Sequence, residues 1–171
     1  EVARVLGGGS EAAAPLKPVK SHIATAFEVL KLDFPPHQRE TFEKELQHAN
    51  RFRQQRAKLM LEAYDRGEPV RHVACPVQGV RLGDELILVA IAGEVVIDYT
   101  LRLKSEYPQH NLVVAGFSND VPCYIPSLRV LREGGYEPVD SMIYYGLPGP
   151  LAENVEEKVI TGCRNVLRQV G

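Results

Sequence analysis

The chain is poor in the patterns that usually announce a chemistry. Among its 171 residues are three cysteines, Cys75, Cys123 and Cys163, too widely spaced for a CxxC pair or a metal knuckle, so neither a dithiol redox centre nor a cysteine-zinc module can be read. They are expected to be small buried thiols, and they leave the cellular compartment open. The histidines, His22, His37, His48, His72 and His110, are scattered, with no HxH or HExxH arrangement. No GxSxG nucleophile elbow is present, and Gly7-Gly8-Gly9 is not followed by the Gly-Lys-Ser/Thr of a phosphate loop. The longest nearly uninterrupted apolar run, residues 86–92, is far too short to cross a bilayer. With 20 basic against 22 acidic residues and a net charge of -2, there is no basic excess to favour a nucleic acid or an anionic membrane as partner.

What remains is the composition of an ordinary globular domain, 44% apolar and 25% charged, with enough residues for a real core. Residues 1–6 read as the last turns of a helix stopped by the three glycines, and residues 7–18 as a linker containing Pro15 and Pro18. Residues 1–21 are therefore expected to be a truncated helix end and arm, implying further residues upstream. Residues 22–171 are expected to be one α/β domain.

Within that domain, Leu30, Leu32 and Phe34 alternate with Lys31 and Asp33, which predicts a half-buried strand over residues 22–34. Pro35-Pro36 ends it. Phe42, Leu46, Ala49, Phe52, Leu59, Met60 and Ala63 then recur at helical spacing through Asp65, before a stop at Gly67 and Pro69. The opposite face of that helix, with Arg51, Arg53, Arg56 and Lys58, reads as solvated. A second β region runs from Val73 to Leu82, and Gly83-Asp84 forms a tight turn into residues 85–91. That last run is apolar on both sides, as in a strand buried within a sheet. A helix over residues 95–107 and a strand over 111–117 complete a βαβ unit, so its two strands should be parallel. Residues 118–150 are rich in turns, with a short helix at 128–133, and residues 151–170 form a closing helix. The predicted fold is α/β: a mixed β-sheet with antiparallel and parallel (βαβ) portions and helices packed on it.

Ligands of open α/β sheets collect beyond the carboxyl ends of parallel strands. Two such ends are legible: Ala92-Gly93-Glu94, and Gly116-Phe117-Ser118-Asn119-Asp120. Glu94 and the loop from Asn119 to Tyr124 should therefore share one edge. As a helix first-turn residue, Glu94 would simply suit the helix dipole; placed after a buried strand, it would be partly desolvated and need a cation, a metal or a proton. A phosphate at the helix start is disfavoured, because Glu94 puts negative charge where the anion must sit.

Several blocks here occur in a recognisable order. They are Ala90-Ile91-Ala92-Gly93-Glu94-Val95, Val114-Ala115-Gly116-Phe117-Ser118-Asn119, Tyr124-Ile125-Pro126-Ser127, Gly135-Tyr136-Glu137, and Ser141 with Tyr145-Gly146. Together they resemble the late catalytic block of the neutral/alkaline non-lysosomal ceramidase family, over roughly residues 70–170. The resemblance implies a zinc-dependent amidase acting on an N-acyl lipid such as ceramide. It implies Glu94 and Tyr124 as zinc ligands, with Asn119, Tyr136 and Tyr145 positioning substrate or ligands. The family's two histidine ligands and its proposed catalytic serine lie upstream of the matched block. The resemblance therefore implies a C-terminal fragment, inactive alone, that works with the upstream part of the same polypeptide, and a secreted or periplasmic parent. Val121 stands where the family has a tyrosine, and Gly134-Gly135 where it has glutamine-arginine. These departures motivate a second reading, a non-catalytic binding or scaffold domain that keeps the family fold.

Overall fold

The computed structural model describes residues 22–171; the helix end and arm expected over residues 1–21 lie outside the described residues. Strand β1 (Ile23–Asp33) leads to helices α1 (Arg39–Glu45) and α2 (Arg51–Asp65), then to β2 (His72–Leu82) and β3 (Leu86–Ile91). A two-residue strand β4 (Glu94–Val95), helix α3 (Ile97–Glu106), β5 (Leu112–Ala115) and β6 (Tyr124–Ile125) follow. Helix α4 (Leu128–Glu133), a π-helical turn (Tyr136–Asp140), α5 (Met142–Tyr145) and α6 (Val155–Val170) complete the chain. The main sheet has the order β1-β2-β3-β5, antiparallel except for the parallel pair β3-β5; β4 and β6 form a separate parallel pair. The fold is α/β with a mixed sheet, as the pattern predicts. No described helix is long and apolar enough to cross a membrane.

The alternation in β1 turns Ala26 and Leu32 to the core and Phe27 and Val29 to solvent, as period two demands. β3 lies between β2 and β5; its Ile87, Val89 and Ile91 are buried against the helix side, while Leu86 and Leu88 on the other face are only part-buried. Its inward residues Val89 and Ile91 meet the apolar stripe of α6, where Val155, Val159, Ile160, Cys163 and Val166 are fully buried. The helix comes unusually close to the sheet. A Cβ on Gly79 of β2 would lie 3.1 Å from the Val166 carbonyl oxygen, and one on Gly162 of α6 would lie 2.7 Å from a Leu30 methyl. All three cysteines are free and buried, as expected. Burial pushes the thiols of Cys75, Cys123 and Cys163 up to about 12, so they stay protonated at neutral pH.

Three expectations are corrected. The long helix after Pro36 is two helices, because the chain leaves the helical path after Leu46 and Asn50 starts a new helix by accepting the Phe52 N–H at 2.8 Å. The basic face of α2 is not wholly solvated. The Arg56 side chain is 8% exposed, and its guanidinium grips both oxygens of Glu45, one of them from Nε at 3.0 Å, so the pair ties α2 back onto the end of α1. Glu94 is not in the first turn of a helix either; it is a strand residue, and α3 starts only at Ile97.

Removing one member of a largely buried ion pair strands the other without water or partner. Arg56→Ala is therefore expected to destabilise the protein by about 3 kcal/mol. Urea denaturation followed by circular dichroism measures this; a midpoint unchanged from the parent chain would show that the pair contributes little.

Candidate functional site

The site begins with a glycine. After β3 the chain must leave the main sheet, and Gly93 makes the change of direction at φ +82°, a left-handed conformation that side chains resist. Its N–H donates to the Asp120 carbonyl at 2.9 Å and its own carbonyl accepts from the Phe117 N–H at 2.8 Å. A Cβ at this position would stand 2.6 Å from the Cys123 carbonyl oxygen and 2.7 Å from the Ile125 side chain. Only a residue without a Cβ lets the two segments close. Once they close, the Glu94 N–H donates to the Cys123 carbonyl at 3.0 Å, and Glu94 sits directly opposite Tyr124 in the β4-β6 ladder.

Helix α3 holds β6 from behind. The buried Tyr99 hydroxyl donates to the Pro126 carbonyl at 2.8 Å. Asp98 accepts from the Ser127 hydroxyl and from Arg129 at 2.8 and 3.1 Å, while Ser127 in turn caps α4 by accepting the Val130 N–H at 3.2 Å. These charge-assisted bonds hold the Asp98 carboxyl below the usual carboxylate range, with Arg129 the main cause. From α6, Glu156 accepts the Leu128 N–H at 2.8 Å. The strand bearing Tyr124 is thus pinned at its C-terminal side by two helices.

Around this edge the structure gathers four of the five residues singled out from the sequence. Tyr145, at the end of α5, donates its hydroxyl to the Glu94 carboxylate. The Tyr136 ring stands edge-on to Tyr124 at a centroid distance of 5.9 Å and is 51% exposed. Asn119 is drawn elsewhere. At φ +66° its amide donates to the Gln78 side chain of β2 at 3.4 Å, and it is not among the residues that line the cleft beside Glu94.

That cleft, of about 450 Å³, is walled by Glu94, Val95, Phe117, Tyr124, Arg129 and Glu137, among others. Three carboxylates, Glu94, Glu133 and Glu137, face it against the single guanidinium of Arg129, which is already paired with Asp98 and Glu133. The cleft is therefore electronegative, a setting for a cation and not for a phosphate. The Glu94 carboxylate, chiefly by hydrogen bonding, pushes the Tyr124 hydroxyl up to about 12. Burial first, and Glu94 second, raise Tyr145 as well. Both tyrosines keep their protons at neutral pH, and Tyr145 donates its own to Glu94. Arg129 and Glu133 carry no signal in the sequence as cleft residues, because they meet Glu94 only through the path of α4.

A zinc ion needs three or four protein donors in a fixed shell. Glu94 and Tyr124 present two oxygen donors side by side. Among the described residues no group of three or more histidine, cysteine, aspartate or glutamate side chains could hold a metal. The neighbouring Cys123 thiol is buried and protonated. Two oxygen donors fall short of the shell a zinc ion needs. No family model, curated protein or solved structure matches the chain.

Two outcomes follow from this geometry. Gly93→Ala should cost about 2 kcal/mol or more through a strained positive φ and a clash with the Cys123 carbonyl. It should also separate β4 from β6, seen as faster hydrogen exchange at the Glu94 amide. Wild-type exchange there would mean that the turn adapts. In a spectrophotometric titration, Tyr124 should stay protonated beyond the usual tyrosine range near 10 and ionise near 12. Because the folded value is raised, the stability it lends is complete below about pH 10 and lost as pH rises towards 12. Glu94→Gln should return the titration towards 10; an unmoved curve in that variant would remove Glu94 as the cause.

Proposed function

We propose that this chain contributes the Glu94–Tyr124 edge of a zinc-dependent amide hydrolase resembling neutral ceramidase, acting on an N-acyl lipid. The observation that supports this most directly is the register of β4 and β6. It sets a carboxylate and a phenol opposite each other on the wall of an electronegative cleft, the pairing of oxygen donors that the family resemblance implies. In this reading Glu94 and Tyr124 would hold the metal together with histidines from the upstream part of the polypeptide. Zinc bound there would polarise an amide carbonyl and acidify a water.

The chain's own residues have definite tasks. Tyr145 fixes the rotamer of the Glu94 carboxylate through its hydroxyl, as outer partners of metal ligands commonly do. Tyr136 offers an exposed ring beside Tyr124 on which the apolar part of a substrate can rest. Asn119, held to Gln78, supports the strand ends from the sheet side. The neighbouring carboxylates repel the released fatty-acid anion and favour its departure.

The test is amide hydrolysis and zinc content of the longer polypeptide that contains this chain. Glu94→Gln is expected to lose hydrolysis and stoichiometric zinc while keeping its circular dichroism. Tyr145→Phe, removing the outer partner, should weaken zinc about 10-fold or more. Full activity in Glu94→Gln would sink the assignment. So would tight stoichiometric zinc in the 171-residue chain alone, which is expected to bind zinc weakly and to hydrolyse no ceramide. The second reading, a scaffold domain, is favoured by one feature. Gly134 and Gly135 leave the cleft rim without side chains, in open space. Zinc binding without any amide hydrolysis in the longer polypeptide would select it.

A further inference from the structure

Among the described residues, helices cover the four-stranded sheet on one face only. Helix α6 lies across β1, β2 and β3, and α3 lies against β5; no other described helix packs on the sheet to any comparable extent. The opposite face is apolar. On β1 it carries Ile23, Phe27 and Val29, exposed by 66, 54 and 53%. The registers continue it across the strands. Thr25 faces Val80, Val80 faces Leu88, and Leu88 faces Val113, a row that crosses all four strands. The next row, Phe27, Gln78, Ala90 and Ala115, is equally free of charge. Ionisable side chains on this side of the strands, Lys31 and His72, sit together at one end, since Lys31 pairs with Ala74 and His72 with Asp33, whose own carboxylate turns to Lys158 of α6.

A strand face of this kind is not left in water without cost. Eleven residues of β1 at about 3.3 Å each, across three strand spacings of about 4.8 Å, make a face on the order of 500 Å². That is at the upper end of the apolar patches found on single-chain proteins. Hidden against an identical face, it removes about 1,000 Å² in total, the threshold for a specific protein interface.

We propose that the uncovered face is where a second copy of this chain packs, making a two-layer β-sandwich across a two-fold axis. The face fits itself. Two sheets of the same twist stack aligned at about 30° and about 10 Å apart, and the two rows described bring no charge into the contact. With the strands of the two copies running in opposite directions, each charged end around Lys31 and His72 falls at a rim, where it keeps its water. A lipid surface fits less well, because this face offers it cationic groups only at that one end and the chain is net negative. The proposal is independent of the zinc reading.

Thr25→Cys provides the probe in the full 171-residue chain, since Thr25 lies in the central row and the native thiols are wholly buried. Light scattering and maleimide labelling are followed from about 1 to about 200 µM protein, because a two-copy contact obeys mass action. The expected result is a dimer mass, with labelling of the introduced thiol slowed about 10-fold or more at the high concentration. Phe27→Glu or Val113→Lys, at opposite sides of the face, should each restore the monomer with unchanged circular dichroism; two such variants guard against a failure of one to fold. A monomer with a freely reactive thiol at every concentration would overturn the proposal. So would a thiol protected at every concentration and released by deleting residues 1–21, which would assign the cover to the N-terminal arm. A dimer indifferent to both substitutions would place the contact on another surface, and equally overturn it.

Discussion

Gly93 is the hinge on which the candidate site depends. Residues before it belong to β3 and the main sheet; residues after it pair with β6 in a separate ladder. The change of sheet needs a positive φ and a backbone approach that no Cβ permits. If this turn were relaxed, Glu94 would continue along β3 and Tyr124 would lose its neighbour. The site is thus a consequence of backbone sterics before it is one of side-chain chemistry.

The rest of the domain serves to hold that hinge in place. Close packing of α6 on the sheet, through Gly79 and Gly162, sets the depth of the core from which β3 emerges. Arg102 joins α3 to α6 through Glu156 and Glu157, and Arg164 joins them again through Glu106. These pairs are partly exposed, so each adds modestly to stability. Their arrangement still fixes the two helices that buttress β6. Positioning of Tyr124 is therefore shared among the buried Tyr99 hydroxyl, the Asp98–Ser127–Arg129 cluster and the packing of α6.

The electrostatics of the cleft have a simple logic. Glu94 accepts from Tyr145; its carboxylate raises Tyr124, and burial with Glu94 second raises Tyr145, because a carboxylate close by disfavours a phenolate. A divalent cation arriving there would reverse that balance and favour a phenolate. Carboxylates at Glu133 and Glu137 deepen the negative potential, while Arg129 is engaged elsewhere. The same negative potential argues against an anionic ligand.

Much of the architecture was legible in the residues themselves. Alternation in β1, the βαβ spacing and the stripe of α6 are local patterns that report which faces are buried, whereas the doubly apolar run of β3 has only one of its faces fully covered. They placed Glu94 and Tyr124 on one edge. Other features were not legible. The break between α1 and α2 turns on one Asn50 cap within an unbroken apolar rhythm, and the burial of Arg56 turns on Glu45 reaching it from another helix. Asn119 bonds to Gln78, 41 positions away, and Tyr145 to Glu94, 51 positions away. The elements, their order and the presence of a polar edge were set by local residue patterns, because they follow from short-range periodicity and turn chemistry. Which side chains meet was left to the packed fold, because contacts between distant segments depend on how helices and strands come together in three dimensions.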